Sequence, residues 1–242
     1  MAIELGRISA LYCYPVKSMA GERLDAVRLG WHGFEGDRRW ALRRLAERGA
    51  FPWLSASRLP ELLLYQPLGR QDTPGEPLPT HVRTPDGKEY ALSDEVLVKE
   101  IATRHGADLE LMRIKHGTFD EAAVSAIALG TMRNICREAG LDLDIRRFRP
   151  NLVIDTEGAQ PFEEDQWVGK VLEFGADGTR PAISITMRDM RCVMINLDPD
   201  TAEADAAVMK TAIRLNENFA GVYGTVVRIG ELRVGQVVRL SA

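Results

Sequence analysis

Cysteine is scarce in this chain, and so is histidine. Three cysteines, Cys13, Cys136 and Cys192, stand far apart among 242 residues and form no CxxC pair. That pattern speaks against a disulfide framework and a structural zinc site, and it fits a reducing, cytoplasmic compartment. The four histidines, His32, His81, His105 and His116, show no HxxxH spacing, so they suggest no metal site. Gly-rich phosphate loops of the GxGxxG and GxxxxGKS/T kinds are missing. No apolar run approaches the roughly 20 residues that span a bilayer. The N-terminus shows no basic leader followed by an apolar block, so no secretory signal and no membrane association are expected. Excess charge is small: the net value of −4 argues against a nucleic-acid polymer as partner while allowing a local basic pocket.

What is present describes a soluble globular protein. Hydrophobic residues make up 45% and charged residues 27% of the chain, enough to bury a sizeable core. The first half reads as strands: 8–14, ending at Pro15; 24–29, reaching Gly30; and 39–43. Residues 61–65 fit a strand or a helical turn. Residues 66–79 hold Pro67, Gly69, Pro74, Gly75, Pro77 and Pro79 and read as a loop suited to a mobile flap. Pro85-Asp86-Gly87 marks a hairpin. Helices are expected after the Ser93–Asp94 cap, over 131–139 with Gly140 as its stop, and over 201–215. Further strands are expected at 152–154 and 182–187. Short glycine-punctuated strands from 222 to 240 suggest a small barrel or folded sheet. The fold class is thus mainly β with helices (α+β). A boundary near residue 93 divides it into 1–92 and 93–242.

The residues suited to chemistry are one thiol and a set of cations. Cys192 sits in Met190-Arg191-Cys192-Val193, shortly before Asp198-Pro199-Asp200-Thr201. The thiolate is the reactive and ligating form of cysteine, and it selects soft or high-valent metals. By composition alone Cys192 reads as one more buried, inert cysteine. Arg146, Arg147 and Arg149 crowd in front of an apolar strand, and Pro150 predicts an extended Arg149. Arginine forks suit phosphate, although most charge runs are solvated loops. Lys17 and Ser18 lie where the first strand ends. Asp37 either orients Arg38 or forms a surface pair of little worth. The run 163–167 reads as an acidic catalytic patch or as a solvated turn anchored by Trp167.

Taken in order, these segments resemble the MOSC family, named for the molybdenum-cofactor sulfurase C-terminal domain. The likeness is to members carrying a MOSC N-terminal β-barrel domain, a group that includes the mitochondrial amidoxime-reducing component. The matching motifs are Tyr14-Pro15-Val16-Lys17-Ser18, Gly36-Asp37-Arg38-Arg39-Trp40, Phe148-Arg149-Pro150-Asn151-Leu152-Val153, residues 162–169, Arg191-Cys192 with residues 198–201, and the closing segments 221–223 and 229–235. Each is weak singly; together they cover nearly the whole chain.

The resemblance implies a molybdenum cofactor (molybdopterin), with Cys192 as the protein ligand to the metal and the catalytic residue. It further implies that Lys17, Ser18, Arg38, Thr131, Arg147, Arg149, Asn151, Arg191 and Tyr223 hold the pterin and its phosphate. A pyridoxal phosphate association also belongs to the family. Two positions depart from its pattern: residues 126–131 keep a hydroxyl only at Thr131, and Ser57 stands where an arginine is usual, with Arg58 out of register. The implied activity is reduction of N-hydroxylated small molecules, such as amidoximes and hydroxylamines. Electrons would come from a separate ferredoxin- or flavoprotein-type partner, because no cysteine-rich tail follows Leu240. The rival from another class is a cofactor carrier or sulfur-transfer protein using Cys192. A third reading is a member that has lost the cofactor and serves in assembly.

Overall fold

The computed structural model describes residues 2–71, 77–175 and 180–241. The first part of the chain contributes β1 (Ile3–Cys13), β2 (Glu22–Leu24), β3 (Ala26–Gly30), β4 (Gly33–Phe34), β5 (Trp40–Arg44), β6 (Gln66–Leu68), β7 (His81–Arg83), β8 (Glu89–Ala91), α1 (Glu95–His105) and β9 (Leu109–Arg113). The remainder contributes β10 (Val124–Ala128), α2 (Leu129–Ala139), β11 (Leu152–Thr156), β12 (Val171–Phe174), β13 (Ala182–Met190), α3 (Ala207–Asn216), β14 (Phe219–Arg228), β15 (Gly230–Arg233) and β16 (Val237–Ser241). The fold is mostly β with three α-helices among the described residues, as the composition and strand pattern imply.

Seven strands close a barrel in the order β1, β11, β10, β14, β13, β12, β16 and back to β1. The N-terminal strand is its longest seam. Residues at its start pair with β16, those in its middle with β11, and Leu11 to Cys13 with β2. Closure brings β1 very near β11. A Cβ on Gly6 would lie 2.1 Å from the Asp155 carbonyl oxygen, so only glycine fits that crossing. β10 and β11 run parallel, with α2 as the connection between them. The barrel interior is packed by Leu11, Phe34, Leu152, Trp167, Phe174 and Val222. A separate core, with Leu42, Leu54, Leu62, Tyr65, Leu97 and Ile101, lies under β5, α1, the β6–β8 sheet and the β5–β9 pair. A third, around Met132, Ile135, Phe148, Val153, Val208 and Ala212, seats α2 and α3 against the outside of the barrel.

Several local expectations change. Residues 24–29 form two strands, β2 and β3, interrupted at Asp25. The uncertain 61–65 segment is a 3-10 turn, Pro60–Leu64. Residues 66–68, expected in a loop, are strand β6. Its Pro67 is tolerated because β6 is the edge of its three-stranded sheet. The flap expected over 66–79 falls partly on 72–76, outside the described residues. The helix expected over 201–215 begins only at Ala207. The Asp198 carboxylate accepts the N–H groups of Asp200 and Thr201, Leu197 bridges to Ala204, and Ala202 turns left-handed at φ 61°, so residues 201–206 are spent in a turn. The helix after residue 93 is capped as expected, by Asp94, which accepts from the Val96 N–H at 2.8 Å. No helix among the described residues is long and apolar enough to cross a membrane.

Candidate functional site

The loop after β1 and the loop before β5 are laced together by backbone hydrogen bonds. Arg38 N–H donates to Tyr14 O at 2.8 Å, Trp40 N–H to Pro15 O at 3.1 Å, and Lys17 N–H to Trp40 O at 2.8 Å. Gly36 makes the turn possible. It stands at φ +86°, and a Cβ there would meet the Pro77 carbonyl at 2.3 Å. Asp37 is fully buried at the centre. Its Oδ1 accepts the Tyr14 N–H at 2.7 Å, and its Oδ2 pairs with Arg38 Nη1 at 2.5 Å. The sequence left Asp37 between an orienting group and a surface ion pair; burial makes it the orienting group.

These loops form one wall of a cavity of about 320 Å³. It gathers Lys17, Ser18, Arg38, Arg147, Arg149, Arg191, Cys192 and Tyr223, from motifs spread over the whole chain. Five basic and three acidic side chains line it, the acids being Asp120, Glu121 and Asp189. Lys17 is 5% exposed, and its Nζ contacts Asp120 Oδ1 at 2.7 Å and Thr118 O at 3.3 Å. Burial pulls its pKa down, with Asp120 opposing. Burial works against the charge on Arg38, but Asp37, Asp120 and the Tyr223 and Tyr14 hydroxyls together hold its pKa above the ordinary value. The Arg38 and Arg149 guanidinium carbons lie 5.0 and 4.3 Å from the Tyr14 ring centroid. Among the described residues Arg149 makes no ion pair. Burial, reinforced by Arg38, lowers its pKa to about 10 despite the Tyr14 hydroxyl.

Arg191 is pinned by Asp189 and donates to Phe148 O at 2.5 Å, while its buried Nε has no partner among the described residues. Burial pushes the Asp189 carboxyl up to about 6, against the pull of Arg191. Cys192 follows directly. It is exposed, unlike the buried Cys13 and Cys136, and precedes the 3-10 turn Val193–Asn196. Asn218 fixes the chain just ahead of it. Its carbonyl accepts the Arg191 N–H at 2.9 Å, and its Nδ2 donates to Arg191 O at 2.7 Å. The composition-based reading of Cys192 as a buried core thiol is thereby corrected. Arg147 reaches the cavity wall with its guanidinium bound to Asp198 at 2.6 Å and to Asn196 O at 3.3 Å. Tyr223 is half-buried on β14, its hydroxyl pKa raised by burial.

Two expected site residues lie elsewhere. Asn151 is buried behind the cavity. Its Oδ1 accepts from the Ser125 N–H and Oγ at 3.1 and 3.2 Å and from Arg38 Nη1 at 3.4 Å, and its Nδ2 donates to Tyr12 O. Thr131 is also fully buried and away from the cavity. Its Oγ1 accepts the Phe162 N–H and donates to Glu164 Oε2, both at 2.7 Å. A side chain so committed holds the 163–167 turn rather than a ligand. That turn is anchored by Trp167 as expected, but its Glu164 is wholly buried rather than solvated.

Burial pushes the Glu164 carboxyl up to about 7, opposed by the bonds from Thr131 and the Gly221 N–H. The folded state therefore keeps a proton that the unfolded chain releases near pH 4.3. The stabilisation is complete below that pH and is lost as pH rises to about 7. In urea unfolding, stability is expected to fall across this window by up to roughly 1.4 kcal/mol per pH unit. In Glu164→Gln that decline should flatten; an unchanged slope would assign it to another group.

Three cavity residues share a backbone feature. Ser18, Arg38 and Arg149 all have positive φ, at 67°, 49° and 49°. The extended conformation expected for Arg149 from the following Pro150 is not adopted; it closes the Ile145–Phe148 turn in the left-handed region instead. Non-glycine residues enter that region at a cost of about 1–2 kcal/mol, and such strain concentrates at functional sites. Asp120, Ser125 and Asn218 carry no local sequence signal, because each partners a residue distant along the chain, while Asp189 pairs with Arg191 two residues on. Ser57 lines the cavity mouth where the related pattern has an arginine, and Arg58 is exposed.

The comparisons with known proteins agree with this architecture. The model of the MOSC N-terminal beta barrel domain matches residues 5–125, and that of the MOSC domain matches residues 103–239. No curated protein matches. Among solved structures, the chain is similar in fold to the YuaD protein from Bacillus subtilis, at 12% identity and a TM-score of 0.53, covering 99% of this chain and 98% of that one. A weaker likeness, TM-score 0.35 and 14% identity, links 50% of this chain to 54% of YiiM from Geobacillus stearothermophilus. The chain belongs to the MOSC family, with a MOSC N-terminal beta barrel domain preceding the MOSC domain.

Proposed function

We propose that this protein binds molybdopterin in the 320 Å³ cavity and reduces N-hydroxylated small molecules there. MOSC domains are associated with molybdenum cofactor binding, and members of the family are often enzymes dependent on that cofactor. The observation that carries the reading is the juxtaposition of an exposed cysteine thiol with five cations in one cavity. The residues fit the group: among the described residues Arg149 has no ion-pair partner and the buried Arg191 Nε has no hydrogen-bond partner, and a thiol able to act as a soft ligand stands beside them.

When bound, the cofactor supplies a metal centre able to change oxidation state and accept oxygen. The chain supplies the rest. Cys192 is the protein ligand. Arg149, Lys17, Ser18 and Arg38 bind the phosphate and pterin, with Asp37 and Asn151 fixing Arg38. Arg191 and Tyr223 border the reacting region, and the buried Asp189 carboxyl, pushed up to about 6, can take up or release a proton there. The overall reaction consumes two electrons and two protons, turning an N-hydroxyl compound into the N–H product and water. A separate ferredoxin- or flavoprotein-type protein delivers the electrons.

The exposure of the Cys192 thiol also favours a second reading, a carrier that passes cofactor or sulfur to an acceptor. The fate of the cofactor separates the two. Holo-protein from a host that makes molybdopterin, given an artificial one-electron donor, is expected to reduce benzamidoxime over many turnovers and keep its molybdenum. No turnover at full loading, with rapid transfer of molybdopterin or labelled sulfur to an apo-acceptor, would replace the reductase reading with the carrier.

A further inference from the structure

A second cavity, of about 350 Å³, adjoins the first and shares Arg149 with it. None of the residues assigned to the cofactor other than Arg149 lines it. Its size falls within the range of small-molecule sites. We infer that it is a separate ligand site, built for a small planar aromatic molecule bearing one carboxylate. The inference stands on this cavity alone and does not depend on the function proposed above.

The walls dictate the class of ligand. Tyr12 supplies the aromatic wall; the Tyr14 ring lies beside it, 20° apart with centroids 6.4 Å from each other, and is itself covered by Arg149. Pro67 and Leu68 add apolar surface. Such walls favour a flat ring, which stacks in an offset arrangement on tyrosine. The charges favour an anion. Three guanidinium groups, Arg70, Arg146 and Arg149, line the cavity against one carboxylate, Glu22. Arg70 binds Glu22 at 3.1 Å, and Arg146 is held by Asp144 and Asp200. Arg149 has no such partner among the described residues, so its fork is left to take an incoming carboxylate. The Tyr12 hydroxyl likewise makes no hydrogen bond among the described residues and is available to donate. Ring, carboxylate and hydrogen-bond acceptor in one small molecule satisfy all three features. A cation would meet the guanidinium groups, and a bare inorganic anion would leave the tyrosine and proline walls uncovered.

Because Arg149 lines both cavities, their occupants draw on one guanidinium, and an anion in either lowers the affinity of the other. The coupling is reciprocal.

Titration calorimetry of the cofactor-free chain tests the inference with benzoate as probe, and with benzyl alcohol, benzylamine and inorganic phosphate as controls. Benzoate is expected to bind at least about tenfold more tightly than each control. Ala20→Phe and Leu68→Trp, which fill this cavity from different elements, should each weaken benzoate by about tenfold or more with an unchanged circular dichroism spectrum. Ser57→Trp, at the mouth of the first cavity, should leave benzoate binding as it was. If one filling variant does not fold, the other decides. Absence of benzoate binding overturns the inference. So does binding that survives the filling variants, or binding lost in Ser57→Trp and kept in Ala20→Phe, which would place benzoate in the first cavity.

Discussion

Cys192→Ser is expected to fold normally and to lose reduction of N-hydroxylated compounds by at least about a hundredfold, the scale of removing a group essential to the chemical step. The fold should survive because the Cys192 side chain is exposed and belongs to none of the three buried cores. The backbone beside it is held by Asn218 from both sides of Arg191, which serine leaves in place. The chemistry should not survive, because a hydroxyl is a hard, weakly acidic donor where a soft thiolate is needed. The other two cysteines provide the contrast. Burial, reinforced by Asp37, raises the Cys13 thiol well above its ordinary value, and burial raises Cys136 as well. Thiols held neutral in a core are inert. Cys13→Ala and Cys136→Ala should therefore cost some stability and leave turnover largely intact. The assay is benzamidoxime reduction with an artificial electron donor, read beside molybdenum per chain and pterin fluorescence after oxidation. Full turnover by Cys192→Ser would remove the thiolate from the mechanism.

Much of the site is legible in the sequence because its parts are short motifs at loop positions. Lys17, Arg38, Arg149, Arg191 and Cys192 each sit where a strand or turn ends, and the fold brings them to one cavity. What sequence cannot supply is burial. Asp37-Arg38 reads equally as an orienting pair or a surface pair until the carboxylate is seen enclosed, with the Tyr14 N–H as its second partner. Thr131 matches a family position but lies on α2 facing Glu164, and only tertiary placement separates those roles. Local rules fail where a long-range partner competes. Pro150 disfavours the helical region for Arg149, yet the turn it closes sets a left-handed backbone. The helix pattern at 201–206 yields to the Asp198 carboxylate, which captures two backbone N–H groups. Strand β10 is missed because all five of its residues are buried. Such a run shows no alternation and merges with the helix that follows. Strands β9 and β12 are four or five residues long and flanked by charge, too little pattern to read alone.

The left-handed backbone at Arg149 allows cofactor binding to be separated from stability. At φ 49°, any L-residue with a Cβ is strained and glycine is not. Arg149→Gly should therefore be more stable than Arg149→Ala by about 1 kcal/mol, measured by urea unfolding. Both variants lose the guanidinium stacked on Tyr14, so that term cancels between them. If Arg149 binds the cofactor phosphate, both should lose it equally. Charge-assisted hydrogen bonds contribute roughly 1.5–3 kcal/mol, which corresponds to a loss of about 10- to 100-fold in affinity. The expected result is a pair of well-folded proteins, one of them relieved of strain, that emerge from a molybdopterin-producing host with little pterin. Arg149→Lys keeps the charge but not the fork, and should retain an intermediate amount. A charged side chain kept at a strained position then makes sense only through what it binds. If Arg149→Gly retains full pterin content while gaining stability over Arg149→Ala, the strain at this position serves something other than cofactor binding, and the phosphate belongs with Lys17 and Arg38 alone.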